Sequence, residues 1–210
     1  YKAILLNMSL FLVLLAAGDS KRFDSNTPKP FYKINNKTLL EHSFNAFSDF
    51  IKIKKTIIVY NKKHKNYINK IKLKNSIIIA GGKSRQESTF KALRYLNRMN
   101  CKKVIIHDAA RPNPSKQIIR KIIVALKNNH AVVPTIKIND ATKRAEKNII
   151  FKNIQRESLR FSQTPQGFTF KKIYEKHKEN INSNIDDDSA LFTEHNEKVI
   201  TVNGSKFNLK

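Results

Sequence analysis

A single cysteine, Cys101, stands in the whole chain. One thiol excludes an intrachain disulfide and any cysteine-based zinc site, and it fits a reducing cytoplasm. The six histidines are scattered without ligand spacing, so no metal site built from side chains is expected. Acidic residues are scarce as well: 16 Asp and Glu face 41 Lys and Arg, for a formal charge of +25. Such a balance invites a nucleic-acid reading. However, lysines run from Lys2 to Lys210 with no low-complexity block, and no basic stretch is interleaved with aromatics. The excess reads as a solvated surface whose field attracts phosphorylated small molecules, with no specific nucleic-acid partner. GxxxxGK[ST] and GxGxxG are both missing, which excludes a P-loop and the dinucleotide fingerprint. No internal repeat or flexible linker divides the chain.

The 210 residues suffice for one ordinary domain with a real core, and the 40% hydrophobic content argues against a disordered chain. The apolar run Ala3–Ala17 is broken by Asn7 and Ser9 and is short for a membrane span. As a signal peptide it would consume the glycine loop that follows it. A buried first strand accounts for it best, and no membrane association is expected. The chain does not begin with Met, and Met8 would be a natural start. The domain is therefore placed at 8–210, with residues 1–7 extraneous to it.

Short β-branched runs predict buried parallel strands at Leu10–Leu15, Thr56–Tyr60, Ser76–Ala80, Lys103–His107 and His130–Pro134. Between them lie helical stripes: Leu39, Leu40, Phe44 and Phe47; Phe90, Leu93 and Leu96; Ile118, Ile119, Ile122, Ile123 and Leu126. Strand and helix in alternation imply an α/β fold, a mostly parallel Rossmann-like sheet with helices on both faces. Residues 135–160 break the pattern. They alternate polar and apolar around a turn-like Ala145–Asn148 and predict a projecting β-arm.

Ligands of such sheets bind outside the carboxyl ends of the strands. AAGDSKRF follows the first predicted strand, GGKSRQES the third and HDAARP the fourth, so three loops converge on one edge. Ala16, Ala17 and Gly18 let the backbone approach a ligand, and Lys21, Arg22 and Lys29 add three cations to the same loop. The combination suits a triphosphate.

LAAGDSKRF, PKPF, GGKSRQES, HDAARP, QRESL, QTPQGF and IDDDSAL, in this order and spacing, resemble the 2-C-methyl-D-erythritol 4-phosphate cytidylyltransferases, a family of pyrophosphorylase-type nucleotidyltransferases. The resemblance runs from about Leu10 to Lys210. It implies the nucleotide-diphospho-sugar transferase fold, transfer from CTP to 2-C-methyl-D-erythritol 4-phosphate, Mg²⁺ held mainly by the triphosphate, and a homodimer formed through the arm. Arg22, Lys29 and Lys210 match the family's catalytic cations. Ala16, Ala17 and Gly18 match backbone contacts to the nucleotide, and Gly82 and Ser88 the positions that read cytosine. Asp108, Arg111 and Thr164 match the ribose and acceptor side of the site. Arg156 would reach the acceptor phosphate of the neighbouring subunit. His107 reads as structural, and the run Asp186–Asp188 reads as an acidic turn touching the site loops rather than as a metal cluster.

Three departures stand out. Asp140-Ala141 replaces the family's common Asp-Thr, so acceptor choice is open between methylerythritol phosphate and ribitol 5-phosphate. Lys83 stands where an acidic residue is frequent, and Ser20 replaces a common glycine. The family pattern continues past Lys210 through a final helix. A fragment, or one half of a fusion with 2-C-methyl-D-erythritol 2,4-cyclodiphosphate synthase, would explain this, and Lys210 is then expected to fray.

Overall fold

Strand β1 (Leu10–Ala16) is apolar throughout because both of its faces are covered. In the computed structural model, which describes residues 9–18, 23, 25–50, 53–181, 185 and 187–210, it is followed by β2 (Lys33–Ile34), β3 (Lys37–Thr38), α1 (Leu39–Ser48), β4 (Ile53–Tyr60), α2 (Lys65–Ile68), β5 (Ser76–Ala80), α3 (Arg85–Leu96), β6 (Lys103–Asp108) and α4 (Lys116–Ala125). The second half holds β7 (Ala131–Lys137), β8 (Thr142–Glu146), β9 (Ile149–Ile154), β10 (Arg160–Ser162), β11 (Gln166–Thr169), α5 (Phe170–Glu179), α6 (Ala190–Thr193) and β12 (Ile200–Asn203).

Successive side chains of a strand leave on opposite faces. Phe11, Val13 and Leu15 pack with Leu93 and Leu96 of α3, Ile173 of α5 and Phe192 of α6. Leu10, Leu12 and Leu14 pack on the other side with Leu40 and Phe47 of α1 and Ile119 and Ile123 of α4. The helix starts are set locally. Thr38 and Glu41 form a reciprocal cap on α1, and Ser84 and Ser115 accept the Glu87 and Ile118 amides at 3.0 and 3.2 Å. Each cap satisfies an otherwise unpaired amide.

Among the described residues the main sheet has eight strands. Its path runs β5–β4–β1–β6–β11–β7, with β12 on the far side of β7 and β10 pairing the end of β7 beyond β11. β5, β4, β1 and β6 are mutually parallel, whereas β10 and β11 run antiparallel to their neighbours. The strands read from sequence all form, but β7 is parallel only to β12 and antiparallel to β10 and β11, and β5 at the end of the path is half-buried rather than buried. β10, β11 and β12, unlike the strands read from sequence, are short and depend on pairing to β6 and β7 rather than on a pattern of their own. Gly167 of β11 lies against α4, and an added Cβ would come within 2.5 Å of Ile122 Cγ2 and 2.6 Å of Leu126 Cδ1. Gly167→Ala is therefore expected to cost about 1–3 kcal/mol by overpacking, to be read as a lower urea midpoint with unchanged m.

The arm begins later than its sequence boundary. Thr135–Lys137 stay in the main sheet, paired with Arg160–Ser162, and the hairpin β8–β9 pairs only with itself. Lys147 and Asn148, with φ of 45° and 68°, make the tight turn that favours left-handed residues. Ile149, Ile150 and Phe151 are 67%, 62% and 54% exposed, and Phe161 at the arm's foot is 56% exposed.

Candidate active site

The loops leaving β1, β4 and β5 are tied edge to edge. Asn61, just past β4, donates to the Ala17 carbonyl at 3.3 Å, and the Gly81 amide donates to the Tyr60 carbonyl at 2.8 Å. A Cβ on Gly81 would stand 2.8 Å from both Ala17 Cβ and Ser88 Oγ, so only glycine lets the first loop close on the start of α3. Ser88 is buried, and its Oγ accepts the Gly82 amide at 3.0 Å. Ala16 is buried, Ala17 half-buried and Gly18 exposed, a graded exit from the core at the carboxyl end of β1. Lys83 is exposed, and its amide is held by Glu87 Oε2 at 2.6 Å.

At the end of β6, Asp108 is the hub of a cationic ring. Lys210 Nζ lies 2.8 Å from its Oδ2, Arg111 Nε 3.9 Å from the same oxygen, and Arg85 Nε 3.6 Å from Oδ1. Burial alone would favour the neutral acid, but Arg85 and then Lys210 hold the carboxyl below its ordinary range. Sequence reasoning left Arg85 without a role, although it sits inside GGKSRQES.

Lys210 is joined to the ring through the segment before it. The Gln163 side chain donates to the Ser205 carbonyl at 2.8 Å and accepts the Ser205 amide at 3.1 Å. Asn208, 1% exposed, donates to the Thr164 carbonyl at 2.8 Å, and Arg111 Nη1 donates to the Asn208 carbonyl at 2.7 Å. The QTPQ stretch thus clamps the segment after β12 and delivers Lys210 to Asp108. Gln163 and Asn208 carry this clamp. Asn208 was legible beside Lys210, whereas nothing in the sequence paired Gln163 with Ser205.

His107 is wholly buried under this ring. Its Nε2 lies 2.9 Å from the Arg111 carbonyl, which can only accept, so Nε2 carries the proton. Nδ1 then accepts from Thr164 Oγ1 at 2.9 Å, and the same oxygen accepts the Asp108 amide at 3.1 Å. The ring is a strut between Thr164 and Arg111, as its sequence reading anticipated. Burial pushes its pKa from 6.5 down to about 4. Between those values the unfolded chain binds a proton that the folded chain refuses, so stability falls as pH drops through this window. The contribution lost is about 3 kcal/mol. His107→Gln should flatten the pH dependence of the urea midpoint from pH 6.5 to 4, whereas Asp108 and Asp188, both depressed in the folded state, release their share only below the ordinary carboxylate range.

Lys29 opens the short turn Lys29–Phe31, with its ammonium 5.6 Å above the Phe23 ring. Phe23 meets Tyr32 edge-on at 5.4 Å, and buried Phe31 stacks on Tyr67 at 5.4 Å. Arg22, its predicted companion, lies outside the described residues, as do Lys21, Ser20 and Asp186. Arg156 sits at the foot of the arm, held by the Asn139 carbonyl and 3.4 Å from Glu157. Ala141 is exposed, and Thr142 Oγ1 turns to the Asp140 carbonyl at 3.4 Å. Asp187 Oδ1 accepts the Ser189 and Ala190 amides at 2.9 and 3.3 Å, and Asp188 reaches Arg85. These two behave as the acidic turn read from the sequence. Among the described residues no group of three or more His, Cys, Asp or Glu could hold a metal ion, and no helix is long and apolar enough to cross a membrane.

The family model of 2-C-methyl-D-erythritol 4-phosphate cytidylyltransferase (IspD) matches residues 10–210. The chain belongs to this family. Among cytidylyltransferase relatives, one from Clostridioides difficile is 32% identical over 206 residues, covering 95% of this chain and 86% of that protein. The bifunctional enzyme IspD/IspF of Pelagibacter ubique is 43% identical over 203 residues, covering 97% of this chain but 54% of that protein. The crystal structure of 4-diphosphocytidyl-2C-methyl-D-erythritol synthase from Anaerococcus prevotii superposes with a TM-score of 0.83 at 27% identity, covering 96% of this chain and 89% of that one. The bifunctional IspDF of Campylobacter jejuni gives 0.83 at 29%, covering 96% and 51%. The chain thus spans about half the length of its bifunctional relatives and most of the length of the cytidylyltransferases.

Proposed function

We propose that this chain transfers CMP from CTP to 2-C-methyl-D-erythritol 4-phosphate. The products are 4-diphosphocytidyl-2-C-methyl-D-erythritol and pyrophosphate, and the reaction serves the non-mevalonate route to isoprenoid precursors. The observation that carries the reading is the Asp108 ring: Lys210, Arg111 and Arg85 gather on one carboxylate at the sheet edge where the glycine loops open. An oxygen of the acceptor phosphate attacks the α-phosphorus of CTP in line, the new P–O bond forms, and the bond to the β-phosphate oxygen breaks. The nucleophile is already ionised at neutral pH, so positioning and charge neutralisation carry the rate and no general base is required. Arg22, Lys29 and Lys210 neutralise charge on the transferring group. Ala16, Ala17 and Gly18 cradle the nucleotide, Gly82 and Ser88 bound the cytosine, and Asp108, Arg111 and Thr164 line the ribose and acceptor side.

The donor set fits Mg²⁺ that arrives on the triphosphate. Asp108 would be a hard oxygen donor for its water shell, and among the described residues no cluster of side chains takes the place of the phosphates. The ion supplies charge neutralisation between phosphates. The apolar residues of the arm need a partner surface. A second copy of the chain covers them, and Arg156 then reaches the neighbour's acceptor. The buried Cys101, its thiol pushed up by burial, suits a reducing cytoplasm.

Ala141 in place of a threonine keeps ribitol 5-phosphate as the second acceptor to be tried. Pyrophosphate release from CTP with each acceptor separately decides between them. Turnover with methylerythritol phosphate is expected, and turnover with ribitol 5-phosphate alone overturns the assignment. The basic surface is expected to bind nucleic acid weakly and to release it near physiological salt.

A further inference from the structure

Behind the Asp108 ring lies a second ion pair, half-buried Arg85 with fully buried Asp188, that the reaction as written does not use. Arg85 stands at the first position of α3, directly after its cap Ser84. Its Nε faces Asp108 and its Nη2 lies 2.7 Å from Asp188 Oδ2. Asp188 is 0% exposed, and its other oxygen is 3.0 Å from Nε2 of His177, also 0% exposed. His177 in turn stacks parallel on Phe90 of α3 at 6.2 Å. One turn of chain before α6 and one face of α5 therefore grip a single guanidinium from behind.

This is an expensive way to join α3 to α5. Buried ion pairs of this kind are often no more stabilising than apolar residues of the same volume. Nη1 of Arg85 is buried with no hydrogen-bond partner among the described residues, which costs further free energy. The helices are already joined by Gln86 and the Asn180 carbonyl and by Phe90 against Tyr174. What the charges add is direction: the guanidinium is fixed between Asp188 and Asp108, and cannot follow either one alone.

We propose that Arg85, anchored by the buried Asp188–His177 pair, is a positioning residue for cytidylyl transfer that fixes the Asp108 carboxylate where it grips Lys210 and Arg111. Asp108 is faced by Arg85 from α3, Arg111 and His107 from β6 and the loop after it, and Lys210 from the segment after β12. Of these, Arg85 exerts the largest charge effect on it. Without Arg85 a buried carboxyl tends to its neutral form, and Lys210 loses the partner that draws it to the sheet edge. Arg85 touches no reacting atom on this account. It acts through Asp108.

The inference rests on the cytidylyltransferase reading, and wild-type turnover with CTP and methylerythritol phosphate tests that reading separately. The experiment compares wild type, Arg85→Met, Arg85→Lys, Asp188→Asn and the double Arg85→Met/Asp188→Asn by pH-dependent steady-state kinetics, with circular dichroism to verify folding. Arg85→Met is expected to lower kcat about tenfold or more and to move the acid limb of kcat/KM to higher pH, with CTP affinity changing less than kcat. Arg85→Lys should recover part of both. Asp188→Asn should give a smaller loss that vanishes in the Arg85→Met background, because Asp188 works through Arg85. The double variant, free of an unpaired buried carboxylate, carries the test if Arg85→Met does not fold. A folded variant lacking Arg85 with an unmoved acid limb and near-wild-type kcat overturns the proposal, and additive losses overturn the anchoring by Asp188.

Discussion

Lys29→Ala is expected to leave CTP bound while turnover falls by about two to three orders of magnitude, equivalent to roughly 3–4 kcal/mol of lost transition-state stabilisation. The size follows from geometry. Lys29 is fixed by Pro28 before it and by the buried Phe31 two residues on, with its ammonium over the Phe23 ring, so little of its charge is spent on reorganising. A cation held this way would gain most where negative charge builds up during the displacement, and less in the ground state, where the proposed Mg²⁺ and backbone amides would already share the triphosphate. Pyrophosphate release gives kcat, and calorimetric titration with CTP gives the dissociation constant. If affinity and kcat/KM fall together while kcat holds, Lys29 is a ground-state anchor and the assignment fails.

The second large effect concerns the arm. Arg156→Ala is expected to raise the acceptor KM by about ten- to a hundredfold, the loss of a charge-assisted contact to a phosphate, with the CTP constant little changed. Within one chain Arg156 holds the Asn139 carbonyl and Glu157, and the proposed dimer would bring it to the acceptor phosphate of the neighbouring subunit. Mixing Lys29→Ala with Arg156→Ala subunits then regenerates one intact site in each heterodimer, about a quarter of wild-type activity after random exchange between subunits of a twofold dimer. Sedimentation would give the dimer directly. An exchanged mixture as inactive as its parents, with heterodimers present, rules out a site shared between subunits.

Much of the fold was legible because buried parallel strands announce themselves. β1, β4, β6 and β7 carry runs of Leu, Ile and Val whose centres are buried, β5 is a similar run at the end of the sheet with Ile78 43% exposed, and the stripes on α1, α3 and α4 repeat at helical spacing. β10, β11 and β12 were not readable. Gln166–Thr169 places one large residue, Phe168, in the core and takes its pairing from β6 and β7, far away in sequence. The limits of the arm were misjudged for the same reason: Thr135–Lys137 alternate like the hairpin but are claimed by Arg160–Ser162.

The site shows the same division. Glycine, lysine and arginine in the loops after β1, β5 and β6 could be assigned from motif and order, since each motif is local and the sheet rule says where its loop ends up. The clamp of Gln163 on Ser205 and the chain Asp108–Arg85–Asp188–His177 could not, because Gln163 lies 42 residues from Ser205, and Arg85 lies 23 from Asp108 and 103 from Asp188, and single polar residues carry no periodicity.

The amino-acid sequence by itself determined five strands of the main sheet, the apolar faces of α1, α3 and α4, the place of the glycine loops and the family. Local backbone chemistry and apolar spacing are sufficient for all of these. The tertiary structure alone decided which cation meets which carboxylate, that Lys210 is joined to the ring through the segment before it, and that His107 stays neutral as a strut. Charges and hydrogen bonds act over a few ångströms of space, and chain distance does not encode that space until the sheet has formed.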